Sequence, residues 1–307
     1  MFVFAAACGD DSRPADSGGA PDVPGVDTSV PRDTPTPSVV PYRIMSWNVE
    51  NFFDNQNDPD VPFDEVQTSA AVTRKINSIS ARIREENPDF VALQEVENLP
   101  LLQRLVDEGL GGMGYDYVGL MDSFDPRGID VGYISRFPVT NVVSHIGESF
   151  LGPTGESQRF TRDALEVFVN ANGIDVLVMT SHFLSQRCVD SPAECAERDA
   201  RREGEAAQAR DLLGRRANTR DHVIFAGDMN DTPDSPTYAA MTAGDEIIDL
   251  TLTVPAADRW SFIFNGREQL DYMMGSQAMS DDMVQLRFVR DGSSDHSALV
   301  ADFQLIP

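Results

Sequence analysis

Lysine is almost missing from this chain: one residue, Lys75, stands among 307, and positive charge otherwise rests on arginine. Lys and Arg together number 24 against 50 Asp and Glu, so the formal net charge is −26. That excludes a general basic surface for nucleic acid. Any polyanion handled here must be drawn in locally, by a few arginines or by a bound cation, against a repulsive overall field. Long apolar runs are lacking as well. None approaches the roughly 18 residues needed to cross a bilayer, so no transmembrane helix is expected. Cysteine occurs three times, too rarely for a disulfide-built scaffold. What is there is a hydrophobic fraction of 41% and an aromatic fraction of 8%, enough for a real core and inconsistent with a wholly disordered chain or a coiled coil. The length admits one large domain or two small ones.

Residues Phe2 to Ala7 are short and apolar and meet Cys8, after which Gly, Asp, Ser, Pro and Thr take over. This pattern resembles the end of a bacterial lipoprotein signal peptide, with Cys8 as the acylated residue and 1–7 as a remnant. Residues 8–40 carry six prolines, Pro14 to Pro37, and no hydrophobic periodicity, and read as a disordered, semi-extended tether. The main domain is expected over 41–307. Cys188 and Cys195 fall in a polar stretch taken as a loop. They form a local disulfide if the chain is exported, or remain two reduced thiols.

Within the main domain, Tyr42 to Asn48 reads as a strand. Ala70 to Glu86 reads as a helix with Val72, Ile76, Ile79 and Ile83 on one stripe and Pro88 beyond its end. Asp89 to Leu93 is a buried strand delivering Gln94 and Glu95 at its end. Leu99 to Leu110 reads as helix and Gly128 to Ser135 as strand. Ala164 to Asn170 and Ile174 to Ser181 flank Asn172-Gly173, a strong hairpin signal. Ala196 to Ala217 is a charged helix with Ala206, Ala209, Leu212 and Leu213 on its apolar face. His222 to Ala226, Leu270 to Met274 and Ala298 to Leu305 complete the strands. A hairpin among strand-helix units favours a mixed α+β sandwich over a purely parallel sheet.

One arrangement recurs: an apolar strand ends in a polar residue that can do chemistry. Asn48, Glu95, His182, Asp228, Asn230, Asp271, Asp295 and His296 all sit at or just beyond such ends. The segments SWNVENFFD (46–54), LQEVEN (93–98), TSHF (180–183), GDMND (227–231), LDYMM (270–274) and SDHSAL (294–299) together resemble the endonuclease/exonuclease/phosphatase superfamily, in that family's order. The superfamily includes DNase I, abasic-site endonucleases, bacterial sphingomyelinases and inositol polyphosphate 5-phosphatases. WNVENFFD, RGIDVGYISRFPV and SHF further resemble its secreted bacterial nuclease branch. The resemblance implies a four-layer α/β/β/α sandwich of the DNase I type. It also implies roles. Glu95 matches the principal carboxylate ligand of a divalent metal, and Asn48 an asparagine beside metal or phosphate. Asp228 and Asn230 match a pair flanking the attacking water and the scissile phosphate, and are counted among the metal-site residues too. Asp295 matches a second acidic residue near the metal. His296 matches a histidine working with an acidic partner, here Asp271, and His182 the other catalytic histidine. Met229 stands where the family usually has Phe or Leu.

The residue types make chemical sense independently. Hard oxygen donors without cysteine favour Mg²⁺, with Mn²⁺ or Ca²⁺ as alternatives. Such a cation neutralises charge developing on a phosphodiester. His296 is expected to deprotonate the attacking water with Asp271 fixing its tautomer, Asp228 is a rival base, and which histidine serves as acid stays open. Arg127 and Asp130, in the RGID segment, and Arg162, just before the hairpin, are candidates for phosphate contact, with surface ion pairs as the alternative for each. His145 and His222 are read as structural. The leading expectation is an exported metal-dependent phosphodiesterase acting on DNA or RNA. It would be a monomer without a stable protein partner, located in the periplasm, on the outer membrane as a lipoprotein tethered through Cys8, or outside the cell. A phospholipid or sphingomyelin phosphodiesterase, a small-molecule phosphatase and, from another class, a non-catalytic binding module are the alternatives.

Overall fold

In the computed structural model the described residues are 38–188, 191–263, 266–290 and 292–307. The signal-peptide remnant, Cys8 and the tether as far as residue 37 lie outside them. Strand alternation decides the architecture. β1 (Val40–Phe52) sends Tyr42 and Ile44 to one face and Met45, Trp47 and Val49 to the other. A strand apolar on both faces must lie between two layers.

α1 (Ser69–Glu86) and β2 (Phe90–Val96) follow, then α2 (Leu99–Arg104), which continues as a π-turn over Leu105–Gly109. Next come β3 (Tyr117–Met121), β4 (Asp130–Ser135), β5 (Val139–Val143) and the two-residue strands β6 (Phe150–Leu151) and β7 (Ser157–Gln158). β8 (Leu165–Ala171) and β9 (Ile174–Thr180) form the expected hairpin, with Asn172 and Gly173 at φ of 52° and 97°. Then follow α3 (Pro192–Ala217), β10 (His222–Asp228), α4 (Pro236–Met241), β11 (Ile248–Asp249), β12 (Phe262–Ile263) and β13 (Arg267–Glu268). β14 (Asp271–Gly275), α5 (Gln277–Asp282), β15 (Met283–Val289) and β16 (Ala298–Leu305) end the chain.

The strands form two six-stranded mixed sheets, β15-β16-β1-β2-β4-β3 and β11-β14-β10-β9-β8-β5. Their inner faces meet in one core, where Ile44, Phe90 and Ala92 of the first sheet pack with Val167, Val176, Val178 and Ile224 of the second. On the outer face of the first sheet, Met45, Trp47, Val91 and Leu93 pack against the α1 stripe of Val72, Ile76, Ile79 and Ile83. On the outer face of the second, Leu177, Met179, Val223 and Phe225 pack against Ala206, Ala209, Leu212 and Leu213 of α3. The result is the four-layer α/β/β/α sandwich.

Helix ends are chemically set. Thr68 caps α1 by accepting from Ala71 N–H, and Asn87 closes it in the left-handed region. Ser191 and Glu194 form a reciprocal capping box on α3. That box starts the helix at Pro192, four residues before the expected Ala196. Cys195 therefore stands in the first helical turn, not in a loop, and is disulfide-bonded to Cys188. β1 also runs further than expected, to Phe52, because its pairing with β2 shifts register after Asn48 and resumes at Phe52 with Val96. β3, β5, β15, α4, α5 and the two-residue strands β6, β7, β11, β12 and β13 had no sequence counterpart above.

Candidate active site

Both sheets end in polar residues at the same side of the sandwich. β1 carries Asn48 and β2 carries Glu95 near their carboxyl ends; β9 leads into His182; β10 ends at Asp228. β14 begins at Asp271 and β16 is entered from His296. Gln94 donates to Thr180 Oγ1 at 3.1 Å and thereby ties β2 of one sheet to β9 of the other beneath these residues.

The second-sheet side is assembled through close backbone approach. His182 pairs beside Asp228 in an isolated parallel bridge. A Cβ on Gly227 would fall 2.3 Å from Ser181 O, so only glycine allows the two strand ends to come this near. Asp228 is fully buried. Its Oδ2 accepts from Asn48 Nδ2 at 3.0 Å, its Oδ1 accepts from Asn230 N–H at 2.7 Å, and His182 Nε2 stands 3.4 Å from Oδ2. His296 Nδ1 is 2.7 Å from Asp271 Oδ2, while His296 Nε2 faces Asp228 Oδ2 at 3.8 Å. One donor atom each from Asp228, Asp271 and His296 lies within 4.8 Å of the others. Glu95 Oε1 stands 4.0 Å from His182 Nε2 and 3.8 Å from Arg127 Nη2. Asp295 is exposed, and its backbone N–H donates to Glu50 Oε2 at 3.1 Å. The structure thus gathers Asn48, Glu95, His182, Asp228, Asn230, Asp271 and His296, with Arg127 and Asp295 at the rim.

Backbone strain concentrates here. Of the non-glycine residues at positive φ, Asn87 and Asn172 close a helix and a hairpin, while Glu50, Asn51, Glu95 and Asn230 all border the site. Each costs of order 1–3 kcal/mol, which a fold retains where geometry matters more than stability.

The two histidines sit in opposite fields. Burial, with the nearby charges of Arg162, His296 and Arg127, drives His182 well below the ordinary histidine value and keeps it neutral. Burial also pulls on His296, but the carboxylates of Asp271, Asp228 and Asp295 outweigh it and push the imidazole up to about 10. Burial and the neighbouring Asp271 raise Asp228, against the opposing pull of His296 and its bonds from Asn48 and Asn230. Asp295 is raised by desolvation and by Glu50 and Glu95, with His296 opposing. His182 Nδ1 and Asp271 Oδ1 are buried polar atoms without a hydrogen-bond partner among the described residues. The donors gathered around them are carboxylate and amide oxygens and imidazole without thiolate, a set that fits a hard divalent cation.

Two expectations need correction. Arg162 does not offer its guanidinium to a phosphate. It is 2% exposed and pairs with Asp125 Oδ2 at 2.6 Å, while donating to His182 O and Phe183 O at 3.3 and 3.0 Å. It fixes the backbone that carries His182. Asp130 is buried at the start of β4 instead of facing the site mouth. His145, enclosed by Glu148 and Glu166, and His222, on Asp282, lie outside the cluster, as expected.

The sequence reading missed the residues that hold this machinery in place. Ser261 Oγ accepts from the N–H groups of Leu270 and Asp271, and Ser261 O accepts from Ser297 N–H. Ser294 donates to Asn48 O and accepts from His296 N–H, and Trp47 Nε1 donates to His296 O. Ser294 and Trp47 lie inside quoted segments, so their position was a signal; for Ser261 no local signal exists.

A family model described as the Endonuclease/Exonuclease/phosphatase family matches residues 45–296, and the chain belongs to that family. It is a family of hydrolases, typically dependent on a divalent cation. Among solved structures, this one resembles an endonuclease/exonuclease/phosphatase from Beutenbergia cavernae DSM 12333 at 22% identity, covering 87% of this chain and 72% of that one, with a TM-score of 0.60. A family protein from Bacteroides thetaiotaomicron is similar at 14% identity, over 87% and 96% of the chains, with a TM-score of 0.61. D. rerio TDP2 complexed with a single-strand DNA product is similar at 17% identity, over 86% and 98%, with a TM-score of 0.57. No curated protein matches the sequence.

Proposed function

We propose that this protein is an exported, metal-dependent phosphodiesterase that hydrolyses nucleic acid by attack of water on phosphorus. The observation that carries the reading is the convergence of both sheets on one constellation: Asp271 holding His296, His296 facing Asp228, and His182 and Glu95 across from them. That the D. rerio TDP2 structure holds a single-strand DNA product supports nucleic acid as the substrate class.

In this reading Glu95 and Asp295, with Asn48 alongside, hold the cation, Mg²⁺ being the best fit to the donors. When bound, it offsets negative charge on the phosphoryl and leaving oxygens. Asp228, oriented by Asn48 and Asn230 and raised in proton affinity, takes the proton of the attacking water. His296, kept protonated by Asp271, places positive charge where the oxygens on the pentavalent phosphorus develop negative charge. Base and charge stabiliser are thereby exchanged relative to the sequence expectation. Neutral His182 and Asn230 donate hydrogen bonds to phosphoryl oxygens. Arg127, half-buried beside Glu95, is the phosphate-facing arginine that remains once Arg162 is committed to Asp125.

Export is supported by the apolar Phe2 to Ala7 stretch meeting Cys8 and by the Cys188–Cys195 disulfide, which suits an oxidising compartment. The test is nicking of plasmid DNA with Mg²⁺ or Mn²⁺ and with EDTA, beside His182→Ala and His296→Ala. Metal-dependent nicking lost in both variants is the expected result. Folded wild type that nicks nothing, yet hydrolyses sphingomyelin or a phosphomonoester through the same residues, overturns the substrate assignment.

A further inference from the structure

Next to the site lies a basic feature that the catalytic constellation does not use. The indole of Trp260 carries two guanidinium groups, with Arg290 Cζ 3.6 Å and Arg267 Cζ 4.6 Å from the ring centroid. Arg290 is further fixed by donating to Asp258 O at 2.7 Å and Trp260 O at 3.2 Å. Both arginines are exposed and Trp260 is half-buried. The patch adjoins the catalytic histidine: two residues after Trp260, the Phe262 ring packs on the His296 ring with centroids 4.9 Å apart, and Phe262 and His296 form an isolated β-bridge.

Several arginines of this acidic chain are spent on carboxylates. Arg162 pairs with Asp125, Arg202 with Asp231, Arg216 with Glu166 and Arg287 with Glu86. Among the described residues neither Arg267 nor Arg290 is in an ion pair. Burial and the nearness of Arg267 lower the proton affinity of Arg290, with Asp258 only partly opposing. Two like charges held together on an aromatic platform, on a surface of opposite net charge, are arranged for an anion that arrives from outside.

We propose that Arg267 and Arg290, set on Trp260, bind a backbone phosphate neighbouring the scissile one, so that the protein distinguishes a polynucleotide strand from an isolated phosphodiester. This rests on the nucleic-acid reading above and adds where along the strand the protein grips it. The rigid mounting matters: guanidiniums stacked on an indole lose little freedom on binding.

The test compares a single-stranded oligonucleotide with bis(p-nitrophenyl) phosphate, in Mn²⁺, for the full chain and for Arg267→Gln, Arg290→Gln and the double variant. The ratio of kcat/KM on the oligonucleotide to kcat/KM on the small diester should fall about tenfold in the double variant, mainly through KM. The slope of log kcat/KM against log salt for the oligonucleotide should become shallower by about 0.7 in the double variant, the share of one phosphate contact. Arg290 also braces the loop that seats His296, so Arg267→Gln serves as the variant free of that complication. A fall of equal size on both substrates makes the pair structural supports and overturns the proposal, as does an unchanged ratio with an unchanged salt slope. Binding of wild type to phosphatidylglycerol vesicles that is lost in the double variant, with the oligonucleotide ratio intact, would overturn it in favour of a lipid surface. Wild type that hydrolyses neither substrate removes the nucleic-acid reading itself, a result separate from an active enzyme with an unmoved ratio.

Discussion

His296 and Asp271 form a buried ion pair whose purpose is legible in its surroundings: the carboxylates around the imidazole hold a proton there that solvent would otherwise remove at neutral pH. Asp271→Asn leaves the hydrogen-bond geometry nearly intact but withdraws the countercharge. Its expected effect is a kcat loss of roughly 10²- to 10⁴-fold and an alkaline limb of the pH–rate profile displaced to lower pH. The acid limb, set by Asp228, also moves to lower pH because Asp271 no longer raises it; an alkaline limb that stays in place while the acid limb alone moves would make His296 the base. A second residue-scale effect concerns stability. Burial pushes the Asp130 carboxyl up to about 7, with Ser123 opposing and Asp122 and Asp125 reinforcing. Its folded pKa exceeds its unfolded value, so the folded state takes up a proton. The stability this group contributes is complete below about pH 4 and lost as pH rises to about 7. Glu97, pushed to about 7 chiefly by burial and by Asp54 and Asp64 against a bond from Asp54 N–H, acts over the same window. Asp130→Asn should therefore raise Tm relative to wild type more at pH 8 than at pH 5, read by thermal unfolding at both. Equal offsets at the two values would refute the assignment. Why Arg162 misled the sequence reading is visible at this scale: arginine chemistry fits phosphate, but its carboxylate partner, Asp125, lies 37 positions away, a distance local pattern cannot see.

At the scale of elements, the site depends on β9 and β10 ending within van der Waals reach of each other, and Gly227 is what permits it. Gly227→Ala forces a Cβ onto the Ser181 backbone. The strands must part there, at an expected cost of roughly 1–3 kcal/mol, with activity reduced beyond the stability loss because His182 and Asp228 move apart. Denaturant midpoints and kcat measured on the same preparation check this; a variant with wild-type values for both would show the approach is slack. Elements whose burial follows a simple period were legible beforehand. α1 shows its stripe at spacings of four, three and four, and the β8–β9 hairpin shows Asn172-Gly173. β3 and β15 were not legible, for a physical reason. β3 is half-buried at every position and presents no alternation, and β15 alternates only over its last residues, with Leu286 and Phe288 buried, too short a stretch to mark a strand. The extension of β1 to Phe52 was equally hidden, since a register shift next to strained Glu50 and Asn51 leaves no periodic trace. The strand-end residues of the site were readable because each follows an apolar run directly. Ser261 was not, because what it holds is backbone ten residues away.

For the whole molecule the decisive quantity is charge. The chain carries a net −26, and part of its acidic charge meets at the site, where Glu50, Glu95, Asp228, Asp271 and Asp295 approach one another. Mutual repulsion among these groups opposes folding, and His296 and Arg127 offset only part of it. A divalent cation bound there is thus expected to stabilise the fold as well as serve the reaction. Binding to the native state alone adds about 2.7 kcal/mol at a concentration a hundredfold above Kd. Thermal unfolding in Mg²⁺ or Mn²⁺ should give a higher Tm than in EDTA, saturating with concentration. Glu95→Gln, which keeps a hydrogen-bonding side chain at the strained strand end while removing its charge, should blunt that rise. General screening also relieves repulsion among exposed carboxylates, but it does so through ionic strength alone, with a Debye length of about 10 Å at an ionic strength of 0.1 M whichever salt sets it. Sodium chloride at matched ionic strength separates the two effects. A Tm increase equal in NaCl, or undiminished in Glu95→Gln, would place the cation's influence on the acidic surface at large and not at the convergence of the two sheets.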